Sequence, residues 1–138
     1  MYYEKTIYIY FKHIKIYNHY IHNKYLILAG SKQIGEIVFT KKNKIFIIGF
    51  IEIYQEYRNK HYGYKVIEYI LSHYKINCII GETLSQSKGF WNKCIKKFNG
   101  QRKNISVCDN CSSSFVIPKC NISNEQIYEL LEVSYEIS

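Results

Sequence analysis

Ile45-Phe46-Ile47-Ile48-Gly49-Phe50-Ile51-Glu52-Ile53, followed by Tyr54-Gln55-Glu56-Tyr57-Arg58-Asn59-Lys60-His61-Tyr62-Gly63, decides the architecture of this chain. The first nine residues are almost continuously apolar, which predicts a central strand buried on both faces. The next ten are polar and basic, and then the period changes. Gly63, Val66, Ile67, Ile70, Leu71 and Tyr74 recur three and four residues apart, forming one stripe of an amphipathic helix. Ile76 to Gly81 is a short apolar strand after it. Strand, helix and strand in this order close by a right-handed crossover, so the two strands are expected to run parallel.

Upstream, Tyr25–Ala29 and Ile34–Thr40 are β-rich runs separated by the turn residues Gly30-Ser31-Lys32-Gln33, a hairpin pattern. The turn Lys41-Lys42-Asn43-Lys44 then leads into the central strand. Alternation at Thr6–Tyr10 and Ile14–Tyr17 predicts at least one further strand near the start. Downstream, a second helix is expected from a cap at Ser85 or Ser87 to Asn99-Gly100, with Phe90, Trp91, Cys94, Ile95 and Phe98 as its apolar stripe. Strands are expected at Asn104–Val107 and Ser113–Ile117, with a loop over Cys108–Ser114. Ser123-Asn124-Glu125-Gln126 reads as a capping box opening a last helix that buries Ile127, Leu130, Leu131 and Tyr135.

With 138 residues the chain supports one core, so residues 1–138 are expected to be a single domain. The 47% apolar content excludes a disordered chain, and no apolar run is long enough to span a membrane. No signal pattern opens the sequence, and five irregularly spaced cysteines suit a reducing compartment, so a cytoplasmic protein is expected. The net charge of +8 favours phosphate-bearing or acidic partners without specifying chemistry.

The chemistry concentrates in the turn. A helix that begins just after a strand offers unpaired backbone N–H groups and a positive dipole end, an anion site if the turn admits a phosphate. Arg58, Lys60 and His61 surround those donors, and Gly63 stands where a side chain would crowd a ligand.

Ile51 to Gly63 resembles the coenzyme-binding motif of the GNAT N-acetyltransferases, which ends in Gln or Arg, two residues, Gly, one residue, then Gly or Ala. Arg58 and Gly63 match, while His61 stands at the first glycine position. Ser87-Lys88-Gly89-Phe90-Trp91-Asn92-Lys93 is similar to the family's second helix. The resemblance spans roughly Tyr25 to Gly100. It implies an α/β (α+β) fold with a mixed, centrally splayed sheet flanked by helices, and transfer of an acetyl group from acetyl-CoA to an amine within a ternary complex. It also implies coenzyme contacts from Ile51, Ile53, Tyr54, Arg58, Asn59, Lys60, His61, Tyr62, Gly63, Tyr64 and Trp91. The splayed end of the central strand, Ile51 to Tyr54, would polarise the thioester carbonyl.

Glu52 is the candidate acceptor of the amine proton, with a rim carboxylate paired to a lysine as its plain structural alternative. Trp91 stands where the family places a tyrosine acid, and indole has no proton to give at neutral pH. Tyr64, Tyr62 or a water is the substitute. No metal is expected: Cys108, Cys111 and Cys120 are three close cysteines without a second pair or a well-spaced histidine. The acceptor stays open between a small amine and a protein lysine or N-terminus, as does a monomer or a homodimer. The rival reading is a non-catalytic GNAT-like scaffold or a basic, aromatic-rich binding module. Nucleic acid is not the favoured partner, because the densest basic and aromatic run, Tyr57 to Lys65, coincides with the coenzyme turn.

Overall fold

The computed structural model describes residues 9–15, 23–108 and 111–137, with the side chains at 12–15, 23, 112 and 133–137 not among those described. Its elements are β1 (Ile9–Lys15), β2 (Asn23–Ala29), β3 (Lys32–Lys42), β4 (Ile45–Ile53), α1 (Tyr62–His73), β5 (Cys78–Leu84), α2 (Lys88–Lys97), β6 (Gln101–Lys103), β7 (Cys111–Ile117) and α3 (Asn124–Ile137). Short 3-10 turns at Gln55–Tyr57 and Ser85–Ser87 precede α1 and α2. The strands form one sheet in the order β1-β2-β3-β4-β5-β7-β6. Among the described residues only β4 and β5 pair in parallel, as the strand–helix–strand pattern requires, and the remaining pairs are antiparallel.

Strand alternation sorts the core into two layers. Val66, Ile67 and Ile70 of α1 and Trp91 and Cys94 of α2 pack with Phe46, Ile48, Ile79, Phe115 and Ile117 on one face of the sheet. On the other face Ile127, Leu130 and Leu131 of α3 cover Ile47, Cys78, Ile80 and Val116. Neighbouring residues of β4 therefore feed opposite layers, and each fully buried Ile or Phe contributes about 1.5–3 kcal/mol of transfer free energy. The capping box of α3 forms as read: the Gln126 amide donates to Ser123 Oγ at 3.1 Å, and the Ser123 amide to Gln126 Oε1 at 2.9 Å.

Several expectations need correction. The central strand is buried on both faces only at Phe46–Ile48, whereas Gly49, Phe50 and Glu52 are exposed. The cause is pairing: β5 accompanies β4 for only three rungs, Ile45↔Cys78 to Ile47↔Ile80. Asn104–Val107 is not a strand; pairing with β7 uses Gln101–Lys103 instead. The amides of Val107 and Cys108 donate to the Glu82 carboxylate at 2.9 and 3.0 Å, and this contact fixes the segment where a ladder was expected. The expected loop at Cys108–Ser114 ends early, since β7 begins at Cys111.

Neither Ser85 nor Ser87 caps α2: Ser87 occupies the N-cap position without a side-chain cap, and its hydroxyl donates to Leu84 O at 3.1 Å. Of the early alternation, residues 9–15 form β1, while residues 6–8, 16 and 17 lie outside the described residues, as does the Tyr135 side chain.

Candidate functional site

An opening in the sheet begins beside a one-residue irregularity in β4. Across β3 and β4 the register runs Phe39↔Ile48 and then Val38↔Phe50, so Gly49 is an extra residue, a β-bulge in β4. A bulge bends its strand and raises its twist. Here it sits just past the last rung with β5, and from this point β4 stays with β3 while β5 stays with β7.

The free edge of β4 has a definite polarity. The Tyr54 amide donates to Ile34 O at 2.9 Å, which makes Tyr54 a hydrogen-bonded rung with β3. In an antiparallel ladder this alternates, so Glu52 and Phe50 also bond toward β3, while the N–H and C=O groups of Ile51 and Ile53 turn to the open side. Arg58 reinforces the assignment, because its Nε donates to Ile53 O at 2.8 Å.

The turn after β4 delivers a helix start with few internal partners. The Tyr57 amide donates to Tyr54 O at 2.8 Å and the Arg58 amide to Gln55 O at 3.2 Å, closing the 3-10 turn. Asn59 and His61 then take left-handed backbone, with φ of 61° and 63°. His61 is the N-cap of α1 and makes no side-chain cap. Intrahelical bonding begins with the Lys65 amide, which donates to His61 O at 3.2 Å. Among the described residues, the amides of Asn59 through Tyr64 have no recorded protein acceptor. Arg58, Lys60 and His61 are exposed around them. The left-handed N-cap explains why glycine suits that position in the motif, and histidine is one of the residue types that tolerate it.

Four of the expected coenzyme contacts also have partners within the protein. Gly63 makes room for a protein ring: a Cβ there would lie 2.5 Å from Phe90 Cε1. Trp91 is core, 3% exposed and stacked on Phe115 at 4.0 Å, because it lies on the stripe by which α2 packs on the sheet. The Tyr54 amide is used by β3, and its hydroxyl turns back to donate to Glu36 Oε1 at 3.0 Å while accepting from Gln33 Nε2 at 2.5 Å. Burial, followed by the Glu36 hydrogen bond, raises the Tyr54 hydroxyl above the ordinary tyrosine value. The Arg58 amide is likewise committed, leaving its guanidinium beside the turn.

The two proton-handling candidates are not neighbours. Glu52 is exposed and lies opposite Glu36, on the sheet face away from α1 and α2. Tyr64 is half-buried in a stack on the other face, with Phe90 at 5.6 Å, His61 at 5.8 Å and Lys97 Nζ 5.6 Å from its ring centre. Any step that uses both has to pass through the opening between β4 and β5. Tyr62 meets Tyr57 edge-on at 6.2 Å at the foot of the turn.

Sequence reading passed over Thr83 and Glu82. Thr83 is fully buried on β5 beyond the last rung with β4, and its hydroxyl has no recorded partner among the described residues. A lone hydroxyl within an apolar strand is the available signal. Glu82 approaches Cys108 and Cys111, all three ligand atoms lying within 4.8 Å of one another. Burial, then hydrogen bonds to Cys108 and Glu82, push the Cys111 thiol up.

No family model and no curated protein matches the chain. Solved structures do. A protein assigned to the GNAT acetyltransferases from Bacteroides thetaiotaomicron superposes with a TM-score of 0.60 over 84% of this chain and 70% of its own, at 16% identity. The fold is that of the GNAT acetyltransferases. Two further acetyltransferase structures agree. The ribosomal-protein-S18-alanine N-acetyltransferase of Escherichia coli gives a TM-score of 0.53 at 8% identity, over 75% of this chain and 72% of its own. An acetyltransferase of Bacillus subtilis, solved in complex with CoA, gives 0.50 at 14% identity, over 72% of this chain and 78% of its own. The centrally splayed sheet expected from the GNAT resemblance is therefore present, with the parting of β4 and β5 as its splay.

Proposed function

We propose that this chain is an acetyl-CoA-dependent N-acetyltransferase acting on an amine, with the coenzyme seated at the opening between β4 and β5. The observation that carries the reading is the juxtaposition of two sets of unused backbone donors. One is the run of amides from Asn59 to Tyr64 at the start of α1, and the other is the free edge of β4 at Ile51 and Ile53. Six amides at a helix N-terminus, with Arg58, Lys60 and His61 beside them, suit the coenzyme diphosphate.

A thioester is already activated, so the protein's task is alignment and carbonyl polarisation. The N–H groups of Ile51 and Ile53 would polarise the thioester carbonyl. The amine nitrogen attacks the carbonyl carbon and the carbon–sulfur bond breaks. Glu52 accepts the proton lost by the amine, directly or through water. The departing thiolate takes a proton from Tyr64 or from water. Thr83 adds a buried hydroxyl on the β5 side of the same opening.

The burial of Trp91 against Phe115 supports one second reading, a GNAT-fold protein that holds the coenzyme without efficient turnover. A thermal melt with and without acetyl-CoA tests the first step, since a ligand that binds only the native state raises the melting temperature by mass action. The expected result is a rise that Arg58→Glu reduces with the fold intact. No rise at saturating coenzyme overturns both readings, and a rise without product from any amine in a mass-spectrometric panel selects the second.

A further inference from the structure

Away from the coenzyme turn, two side-chain chemistries that rarely meet by chance converge beside β5. We infer that Glu82, Cys108 and Cys111 form a binding site for a thiophilic divalent cation, zinc, with three protein ligands and a fourth position for water or a small ligand.

Each ligand arrives from a fixed place. Glu82 is on β5, opposite Ser114 of β7, on the α3 side of the sheet by strand alternation with Ile80. Cys111 begins β7 and pairs with Leu84 across a bulge. The Cys111 amide donates to Cys108 O at 3.1 Å, which ties the two cysteines of the C-x-x-C pair together. The three ligand atoms lie within 4.8 Å of one another, and all three residues are partly buried. Tetrahedral zinc, with Zn–S of about 2.3 Å and Zn–O of about 2.0–2.2 Å, holds two thiolates about 3.8 Å apart, so a closure of roughly 1 Å completes the site.

The supporting shell is already built. Glu82 Oε1 accepts from the Val107 amide at 2.9 Å and Oε2 from the Cys108 amide at 3.0 Å, which orients the carboxylate and leaves each oxygen a second lone pair. Two thiolates and a carboxylate are the soft and hard donors that suit zinc over magnesium or calcium. Glu82 alone would already fasten this segment through the two amides. The Cys111 thiol adds hydrogen bonds to Cys108 and Glu82, so the three ligand groups already converge on one point. The cluster does not touch the coenzyme turn, which lies on the face of α1 and α2, and it shares with Glu52 the opposite face of the sheet.

The test uses the full chain, reduced and stripped with a chelator, titrated with cobalt(II) and then zinc(II) alone. The expected result is one cobalt per chain, with thiolate-to-cobalt charge-transfer absorption and the intense visible bands of a tetrahedral ion, bleached by one equivalent of zinc. Cys111→Ser should weaken cobalt binding by about tenfold or more, as loss of a metal-site group does, whereas Cys120→Ser should leave it unchanged. A second measurement needs no variant: zinc should protect Cys108 and Cys111, but not Cys120, from alkylation, read by peptide mass spectrometry. Absence of the tetrahedral spectrum, undiminished binding in a folded Cys111→Ser chain, or equal alkylation of Cys108 and Cys111 with and without zinc overturns the assignment. So does a Cys108–Cys111 disulfide in the isolated protein that takes up no zinc after reduction.

Discussion

The two halves of β4 share one strand and nearly one composition, yet they do opposite work. Phe46 and Ile47 have strands on both edges and helices on the faces, and they are at most 1% exposed. Phe50–Ile53 keeps β3 on one edge and turns the other to an opening, so Phe50 is 45% exposed. Apolar character alone therefore does not tell core from site within this strand. What separates them is how far β5 follows, and that length is a tertiary property.

Substitutions at matched positions can break or sharpen this contrast. Phe46→Ala should cost about 3–5 kcal/mol, as an aromatic truncated in a closed core does, against about 0.5 kcal/mol or less for Phe50→Ala. Urea unfolding of both variants measures the gap, and equal losses would mean that the open half carries as much packing as the closed one. Glu52→Gln tests whether the open half does chemistry. If its carboxylate takes the amine proton, the acetylation rate should fall about 100-fold or more with the melting temperature unchanged. A variant that keeps its rate makes Glu52 a rim carboxylate.

A smaller effect is expected at the turn. Arg58→Glu should weaken acetyl-CoA binding by about tenfold, or about 1.4 kcal/mol, by calorimetric titration. The smallest effect concerns the network behind the opening, where Lys24 Nζ lies 2.7 Å from Glu36 Oε2. The Lys24 hydrogen bond holds the Glu36 carboxyl below its usual value, against the opposing effect of burial. A lowered folded-state value means stabilisation that is complete above the unfolded carboxylate pKa and is lost as pH falls through the folded one. Both side chains are about a quarter exposed, so Glu36→Gln should cost under about 1 kcal/mol at neutral pH. That difference should vanish on acidification, and a gap that persists at low pH would assign the loss to packing.

The fold was legible wherever period and burial agree. The stripe Val66, Ile67, Ile70 named α1, and the apolar runs around it named β4, β5 and their parallel pairing, because these patterns reflect local geometry that tertiary contacts merely use. Gly49 was not legible as a bulge, since one extra residue inside an apolar run leaves no trace in composition. Trp91 and Gly63 were read through the motif, and both turned out to serve packing: the indole stacks on Phe115, and the missing side chain accommodates Phe90. Motif position predicts backbone course better than it predicts which neighbour a side chain meets. Glu82 was missed for a related reason. Its partners Cys108 and Cys111 are distant in sequence and come together only through the β5–β7 ladder.

Gly49 carries a consequence for how such a chain can change. Val38 and Phe39 are consecutive on β3, and they already face Phe50 and Ile48. Deleting the glycine would thus restore an uninterrupted ladder without moving any flanking side chain to the wrong layer. The shortened strand would be free to zip onto β5, gaining rungs while sealing the gap. Stability and ligand capacity then stand in opposition at a single codon, and the shortest step from a hollow sheet to a solid one is an omission rather than a replacement.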